Sequence, residues 1–191
     1  MAASSSSSSP VVAPTTSTEN QVFISFRGAD IRDGFLDYLV HEMQDAGINV
    51  FIDDHEVRGI DLDNLFVRIE ESEVAIVIFS EKYTTSKWCL NELVKIDECA
   101  AKNTLMAIPV FYKVEPSEVK DIEGNFGIHF RALKRNNPYD TVNVQKWEKA
   151  IASISVKTGM PLSEHGFVFC LSLCFFFQIL PISRLLDQNI Y

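Results

Sequence analysis

Val74-Ala-Ile-Val-Ile-Phe79 is a run of six apolar residues with no polar residue inside it. A strand without polar/apolar alternation is typical of a parallel sheet whose two faces are both covered. Three further runs, rich in β-branched and aromatic residues, are predicted strands: residues 22–26, 48–52 and 105–112. Pro109 has no N–H to donate, which favours an edge or irregular position within the last run.

Helical patterns lie between these strands. Phe35, Leu39 and Met43 recur every four residues after Asp30, a candidate N-cap, and Gly47 ends the pattern. Further helices are predicted over residues 62–72, 88–101, 125–135 and 142–157. Strands alternating with helices predict an α/β fold with a parallel sheet and right-handed crossovers. Ligands of such sheets bind beyond the carboxyl ends of the strands, which here lead into residues 26–28, 53–54, 80–81 and 112–113.

Charge and composition exclude several classes of function. The 191 residues carry a formal net charge of −9, which argues against nucleic-acid binding. No CxxC pair or His cluster at ligand spacing occurs, so neither a metal site nor a disulfide framework is expected. Residues 1–20 contain an unbroken serine run, Ser4 to Ser9, and predict a disordered tail. A plastid transit peptide shares that composition, but no Arg or Lys precedes Arg27.

The carboxyl end, residues 161–191, is an atypical hydrophobic tail after the domain predicted over 21–160. No Asp, Glu, Lys or Arg occurs from His165 to Ser183. As a helix, the apolar residues 167–180 would span about 21 Å, short of the roughly 30 Å hydrocarbon core, and Pro181 interrupts any continuation. This length argues against a membrane-spanning helix. Two alternatives remain for the segment: a buried element of the domain, or a tail that is not part of the fold.

Six segments occur in an order that identifies a family. They are Val22-Phe-Ile-Ser-Phe-Arg-Gly28, Phe51-Ile-Asp-Asp54 with Arg58-Gly59, Ile69-Glu-Glu-Ser72, Ser86-Lys-Trp-Cys-Leu-Asn-Glu-Leu93, Ile108-Pro-Val-Phe-Tyr112 and Asn125-Phe-Gly127. Together they resemble the Toll/interleukin-1 receptor (TIR) domain in its plant form, found in TIR-only or truncated disease-resistance signalling proteins. The resemblance implies a flavodoxin-like parallel sheet of four to five strands flanked by helices, in agreement with the strand and helix patterns.

The resemblance also implies a chemistry. Many plant TIR domains cleave the nicotinamide–ribose bond of NAD on self-association, giving nicotinamide and ADP-ribose or cyclic products. The catalytic glutamate of the family corresponds to Glu92. A carboxylate suits this role because an anion stabilises the positive charge that develops on the ribose. The alternative for Glu92 is an ordinary helix carboxylate that pairs with Lys95.

Further roles follow from the same resemblance. NAD is a substrate, with no cofactor or metal, and the expected partners are this chain itself and other TIR proteins. The implied location is cytoplasmic, with the nucleus as an alternative. Cys89 is expected to be a small buried residue rather than a nucleophile. The residues expected to bind substrate are Arg27, Gly28, Asp53, Arg58, Ser80 and Trp88, and those expected at an interface are Gly124, Phe126 and Gly127.

The sequence departs from the family pattern in two places. Ala29 and Ile60 stand where acidic residues are usual. From about residue 165, the apolar tail is expected to replace the closing strand and the amphipathic last helix, although residues 167–180 could themselves restore a buried strand. These departures leave two alternatives to an enzyme: a non-catalytic adaptor or decoy that binds other TIR proteins, and a protein that binds nucleotide without turnover.

Overall fold

A computed structural model describes residues 21–52 and 62–162. Its centre is a five-stranded sheet in which every neighbouring pair is parallel, with strand order β2-β1-β3-β4-β5. The strands are β1 Gln21–Ser25, β2 Asn49–Ile52, β3 Val74–Ser80, β4 Met106–Tyr112 and β5 Met160–Leu162. This confirms the predicted α/β fold, and the order is the flavodoxin-like one.

Helices follow each of the first four strands. They are α1 Gly28–Ile31, a π-helical segment Arg32–Leu36, α2 Asp37–Asp45, α3 Leu62–Glu70, a 3₁₀ turn Tyr83–Thr85, α4 Lys87–Ala101, α5 Pro116–Asp121, α6 Gly124–Asn136 and α7 Thr141–Ser155. The predicted helices are confirmed to within a few residues at their ends. Gly47 ends the first helical region with a φ of +79°, a conformation that suits glycine.

The sheet is covered on both faces, as the Val74–Ser80 pattern indicates. Alternate residues of β3 contribute to two separate hydrophobic clusters. Ala75, Val77 and Phe79 belong to the cluster that includes α4, α6 and α7, whereas Ile76 and Ile78 pack with residues of α1 and α2. All seven residues of β3 are buried, so both faces select apolar side chains and the alternation disappears.

The end of the described chain corrects one prediction. The short strand β5 pairs with β4 from Val110↔Met160 to Tyr112↔Leu162, so the closing strand is present and crosses the boundary predicted at residue 160. The pairing of β4 with β5 begins at Val110. Pro109 lies one residue earlier and is paired only with Val77 of β3, so its missing N–H removes no hydrogen bond to β5. The segments 1–20 and 163–191, with the predicted tails and the position of the last helix, lie outside the described residues.

In the described parts of the chain, no helix has both the length and the apolar character to cross a membrane.

Candidate active site

The carboxyl ends of β1 and β3 form the point at which the sheet order reverses. From β1 the chain continues to β2 on one side, and the later strands β3 and β4 are added on the other side. Sheets of this kind bind ligands in the crevice at that reversal. The residues that end these two strands are Ser25 and Ser80, so side chains around them are the first candidates for a site.

Helix α4 is attached to the end of β1 by two of its side chains. The Cys89 thiol donates a hydrogen bond to the carbonyl of Phe26 at 3.3 Å. One turn later, the Glu92 Oε2 accepts a hydrogen bond from the Ser25 hydroxyl at 2.6 Å. Residues three apart share a helix face, which explains why both reach the same strand end. The start of α4 is capped by Ser86, whose Oγ accepts from the Cys89 N–H at 3.3 Å.

Tyr83 completes this buried cluster. Its hydroxyl lies 2.8 Å from the Ser25 Oγ and also donates to the Cys89 carbonyl at 3.1 Å. Ser25, Tyr83 and Cys89 have no exposed surface, and Glu92 is 1% exposed. Burying a carboxylate this deeply destabilises the fold unless hydrogen bonds replace those it made to water. The Ser25 hydroxyl supplies one such bond.

Burial keeps the neighbours of Glu92 uncharged. It raises the pKa of the Cys89 thiol to about 12, and the negative charge of Glu92 adds to the rise. The pKa of Tyr83 is raised well above its usual value, first by burial and then by unfavourable electrostatic interactions with Cys89 and Glu92. Cys89 is therefore a thiol and not a thiolate nucleophile, in agreement with the sequence prediction.

Three of the predicted substrate-binding residues lie around the same strand ends. Arg27 lies two residues after the end of β1, and its Nε donates to the Thr85 Oγ1 at 3.3 Å. Gly28 begins α1, and Trp88 lies in the first turn of α4, half-buried against the hydrophobic cluster. Arg27 and Trp88 are both partly accessible, whereas Ser25 and Glu92 are buried.

Ser80 is different, because it is 1% exposed and faces another side chain. Its hydroxyl donates to the Asp30 Oδ2 at 2.7 Å, and the Lys82 N–H donates to the same oxygen at 2.8 Å. In this arrangement Ser80 contacts Asp30 rather than a ligand. Asp30 lies within α1 and links it to the loop after β3, so its predicted role as a helix N-cap is corrected. Asp53 and Arg58 lie outside the described residues.

The three predicted interface residues are at the start of α6, and only one of them is exposed. Gly124 lies at the surface with a φ of +55°. The Phe126 ring is fully buried and packs edge-on to Phe79, with ring centroids 6.1 Å apart. A ring without exposed surface cannot touch a partner, so a direct contact by Phe126 is excluded in this conformation. Gly127 is buried too, and a Cβ on it would lie 2.0 Å from the carbonyl oxygen of Ile122.

A surface groove lies away from this site, between α6 and α7. Its volume is about 780 Å³, and its lining includes Arg131, Arg135, Pro138 and Gln145 but none of the predicted site residues. Within residues 21–52 and 62–162, no group of three or more His, Cys, Asp or Glu side chains could hold a metal ion.

Fold and site together define a class of protein: a flavodoxin-like α/β domain with a buried carboxylate at the point where the strand order of its sheet reverses. Comparison with known proteins gives the family. The sequence profile described as "TIR domain" matches residues 20–165, and the chain belongs to the TIR domain family.

Its relatives are plant proteins. The chain is 53% identical over 166 residues to Protein PHLOEM PROTEIN 2-LIKE A8 of Arabidopsis thaliana, a match that covers 87% of this chain and 45% of the relative. It is 46% identical over 148 residues to the Disease resistance protein RPS4 of Arabidopsis thaliana, covering 78% of this chain and 12% of that protein. The chain thus spans less than half the length of these two relatives.

A solved structure has the same fold. The TIR domains of the activated Roq1 resistosome, which directly recognises the pathogen effector XopQ, match with a TM-score of 0.70 and 34% identity. The match covers 88% of this chain and 98% of that one. The chain is accordingly a TIR domain whose matched relatives include plant disease-resistance proteins.

Proposed function

We propose that this chain cleaves NAD to nicotinamide and ADP-ribose or a cyclic product, with Glu92 as the catalytic residue. The observation that carries the proposal is the Glu92 carboxylate, hydrogen-bonded to Ser25 at the reversal point of the sheet. TIR domains of plant resistance proteins are generally enzymes of this type, and the family match covers the whole segment that builds the site.

The chemistry needs few groups. Breaking the nicotinamide–ribose bond leaves positive charge on the ribose, and a nearby carboxylate stabilises that charge as it develops. Nicotinamide leaves as a neutral molecule, so no general acid is required. Arg27, at the mouth of the site, carries the positive charge that would attract the pyrophosphate of NAD. Trp88 offers a flat apolar surface beside it.

The burial of Glu92 indicates how the activity would be controlled. With 1% of its surface exposed, the carboxylate is closed to a substrate in the isolated chain. We propose that self-association, or binding to other TIR proteins, shifts the chain to an open form in which Glu92 is accessible. The proposed location of this activity is the cytoplasm, and also the nucleus. A ligand or partner shifts such an equilibrium only if it binds the open form more tightly. The specific rate of NAD cleavage should therefore rise with protein concentration.

The test compares two isosteric variants of helix α4. Glu92→Gln removes the charge from the site, and Glu98→Gln removes an exposed charge six residues further along the same helix. Purified proteins are incubated with NAD at several protein concentrations, and nicotinamide is measured by chromatography. We expect Glu92→Gln to lose about 100-fold or more in rate, the scale of removing an electrostatic group from an active site, and Glu98→Gln to match the unaltered chain. Equal rates for the unaltered chain and Glu92→Gln would refute the proposal.

The same burial favours a second candidate, a non-catalytic adaptor that binds other TIR proteins. In that case Glu92 serves to attach α4 to β1, and no condition of assembly produces nicotinamide. Binding to a second TIR domain without NAD cleavage, measured in one sample by light scattering and nicotinamide release, would support the adaptor.

A further inference from the structure

Two buried hydroxyl groups from different parts of the fold form a chain of hydrogen bonds that ends on the Glu92 carboxylate. Ser25, the last residue of β1, donates to Oε2 at 2.6 Å. Tyr83, in the 3₁₀ turn after β3, lies 2.8 Å from the Ser25 Oγ. Ser25 and Tyr83 have no exposed surface, and they precede Glu92 by 67 and 9 residues in the sequence. Polar groups buried this deeply are costly unless hydrogen-bonded, and this cluster bonds them to each other.

The hydrogen bonds of this cluster run in one direction. A serine hydroxyl has one hydrogen, and Ser25 gives it to the Glu92 carboxylate, so at the 2.8 Å contact Tyr83 is the donor. The single Tyr83 hydrogen is then shared between the Ser25 Oγ and the Cys89 carbonyl oxygen, 3.1 Å away. Burial raises the pKa of Tyr83 well above its usual value, so its hydroxyl keeps its hydrogen throughout the neutral range. Donation by Tyr83 polarises the Ser25 hydroxyl and strengthens its bond to Glu92.

We propose that Ser25 and Tyr83 are positioning residues for NAD cleavage, which hold the Glu92 carboxylate by Oε2 so that Oε1 meets the ribose. The inference rests on the proposed function and adds two residues to it. A catalytic group must be held to within about 0.5 Å of its productive position, and a glutamate side chain has several rotatable bonds. Fixing one oxygen to a strand of the sheet orients the other when the site opens.

A purely structural role for the cluster makes a different prediction. If the hydroxyls only attach α4 to β1, their loss lowers the stability of the fold but leaves the rate per folded molecule unchanged. If they position Glu92, the loss lowers kcat and leaves KM nearly unchanged, because the ribose carries its charge only in the transition state.

The experiment uses four variants of the full chain. Ser25→Ala removes the donor to Glu92, Tyr83→Phe removes the donor to Ser25 and keeps the ring, and Ser25→Thr restores a hydroxyl. Ser72→Ala is the matched control, since Ser72 is an equally buried serine, bonded to Gln21 and to the Arg68 carbonyl, next to the amino end of β1. Nicotinamide release gives kcat and KM, and urea unfolding gives the free energy of unfolding.

We expect Ser25→Ala to lower kcat by about 10- to 100-fold, the range for losing a hydrogen bond to a charged group, with KM changed by less than about twofold. Tyr83→Phe should lower kcat by about 3- to 10-fold, because it weakens the Ser25 bond without removing it. Ser25→Thr should recover most of the lost rate, and Ser72→Ala should keep the full rate per folded molecule.

The outcomes separate this inference from the proposed function. If the unaltered chain and Glu92→Gln release nicotinamide equally, the function fails and the inference fails with it. If activity depends on Glu92 while folded Ser25→Ala and Tyr83→Phe keep the full kcat, the function stands and the positioning role is refuted. A loss of kcat shared equally by Ser72→Ala would also refute it, since that loss would follow from stability alone.

Discussion

Replacing Gly127 by alanine tests the packing of the α5–α6 corner, where the resemblance implies an interface. Alanine is the better helix former by about 1 kcal/mol, so propensity alone predicts a more stable protein. The structure predicts the opposite. A Cβ on Gly127 would lie 2.0 Å from the Ile122 carbonyl oxygen, although real Cβ atoms essentially never come under 3.0 Å. The backbone at Ile122 must therefore move by about 1 Å.

That movement has a cost which can be estimated. The Ile122 carbonyl accepts a hydrogen bond from the Arg131 Nη1 at 2.9 Å, and Ile122 itself has a φ of +53°, a conformation that is rare for a β-branched residue. Forcing a methyl group into a filled site costs about 1–3 kcal/mol, and the contact here is with backbone, which yields least. A contact with backbone places the cost at the upper end of that range, about 3 kcal/mol, and against the gain of about 1 kcal/mol in helix propensity the net loss is about 2 kcal/mol.

Urea unfolding followed by circular dichroism measures this loss. With an m-value of about 2 kcal/mol/M, the midpoint of Gly127→Ala should fall by about 1 M. Gly47→Ala is the control. Gly47 also has a positive φ, +79°, but a Cβ there meets nothing within 4 Å, so only the conformational cost of about 1 kcal/mol applies. A Gly127→Ala protein as stable as the unaltered chain would refute the reasoning, because the clash would then be absent.

Two further predictions concern buried side chains. Phe126→Ala should lower the free energy of unfolding by about 3–5 kcal/mol, because the ring is fully buried against Phe79; loss of self-association at unchanged stability would contradict this. Cys89 should make the fold sensitive to alkali: its pKa is raised to about 12 in the folded chain, so above about pH 9 only the unfolded thiol ionises. Stability then falls by up to about 1.4 kcal/mol per pH unit between about 9 and 12, and Cys89→Ala should fall less steeply in the same urea titrations.

The strands and most helices were predictable because each depends on its own residues. The run Val74–Ser80 is apolar throughout, and the spacing of Leu39 and Met43 marks a helix face whatever the rest of the chain does. Helix α5 is not among the predicted helices, because its mostly polar residues form no apolar face. Its signal was present in Pro116 at the first helical turn and in the reciprocal pair Glu115 and Glu118 of the capping box.

The contacts of the candidate site were not predictable in the same way. Glu92 could be singled out by the family motif, but nothing near it in sequence indicates Ser25 as its partner, 67 residues away. Ser80 was placed correctly at the end of β3, yet its bond to Asp30 depends on how β1 and β3 are paired. Local pattern fixes which residues reach the edge of the sheet, and the strand order decides which of them meet.

The central position of β1 has a consequence for the order in which the site is made during synthesis. β1 is the first strand of the described chain, but its neighbours in the sheet are β2 and β3, which leave the ribosome later. Ser25 meets Tyr83 and Glu92 only after the nascent chain has grown past α4. A shortened translation product that ends before residue 92 would carry a complete β1 without the Ser25–Glu92 contact, so the proposed NAD cleavage should be absent from it.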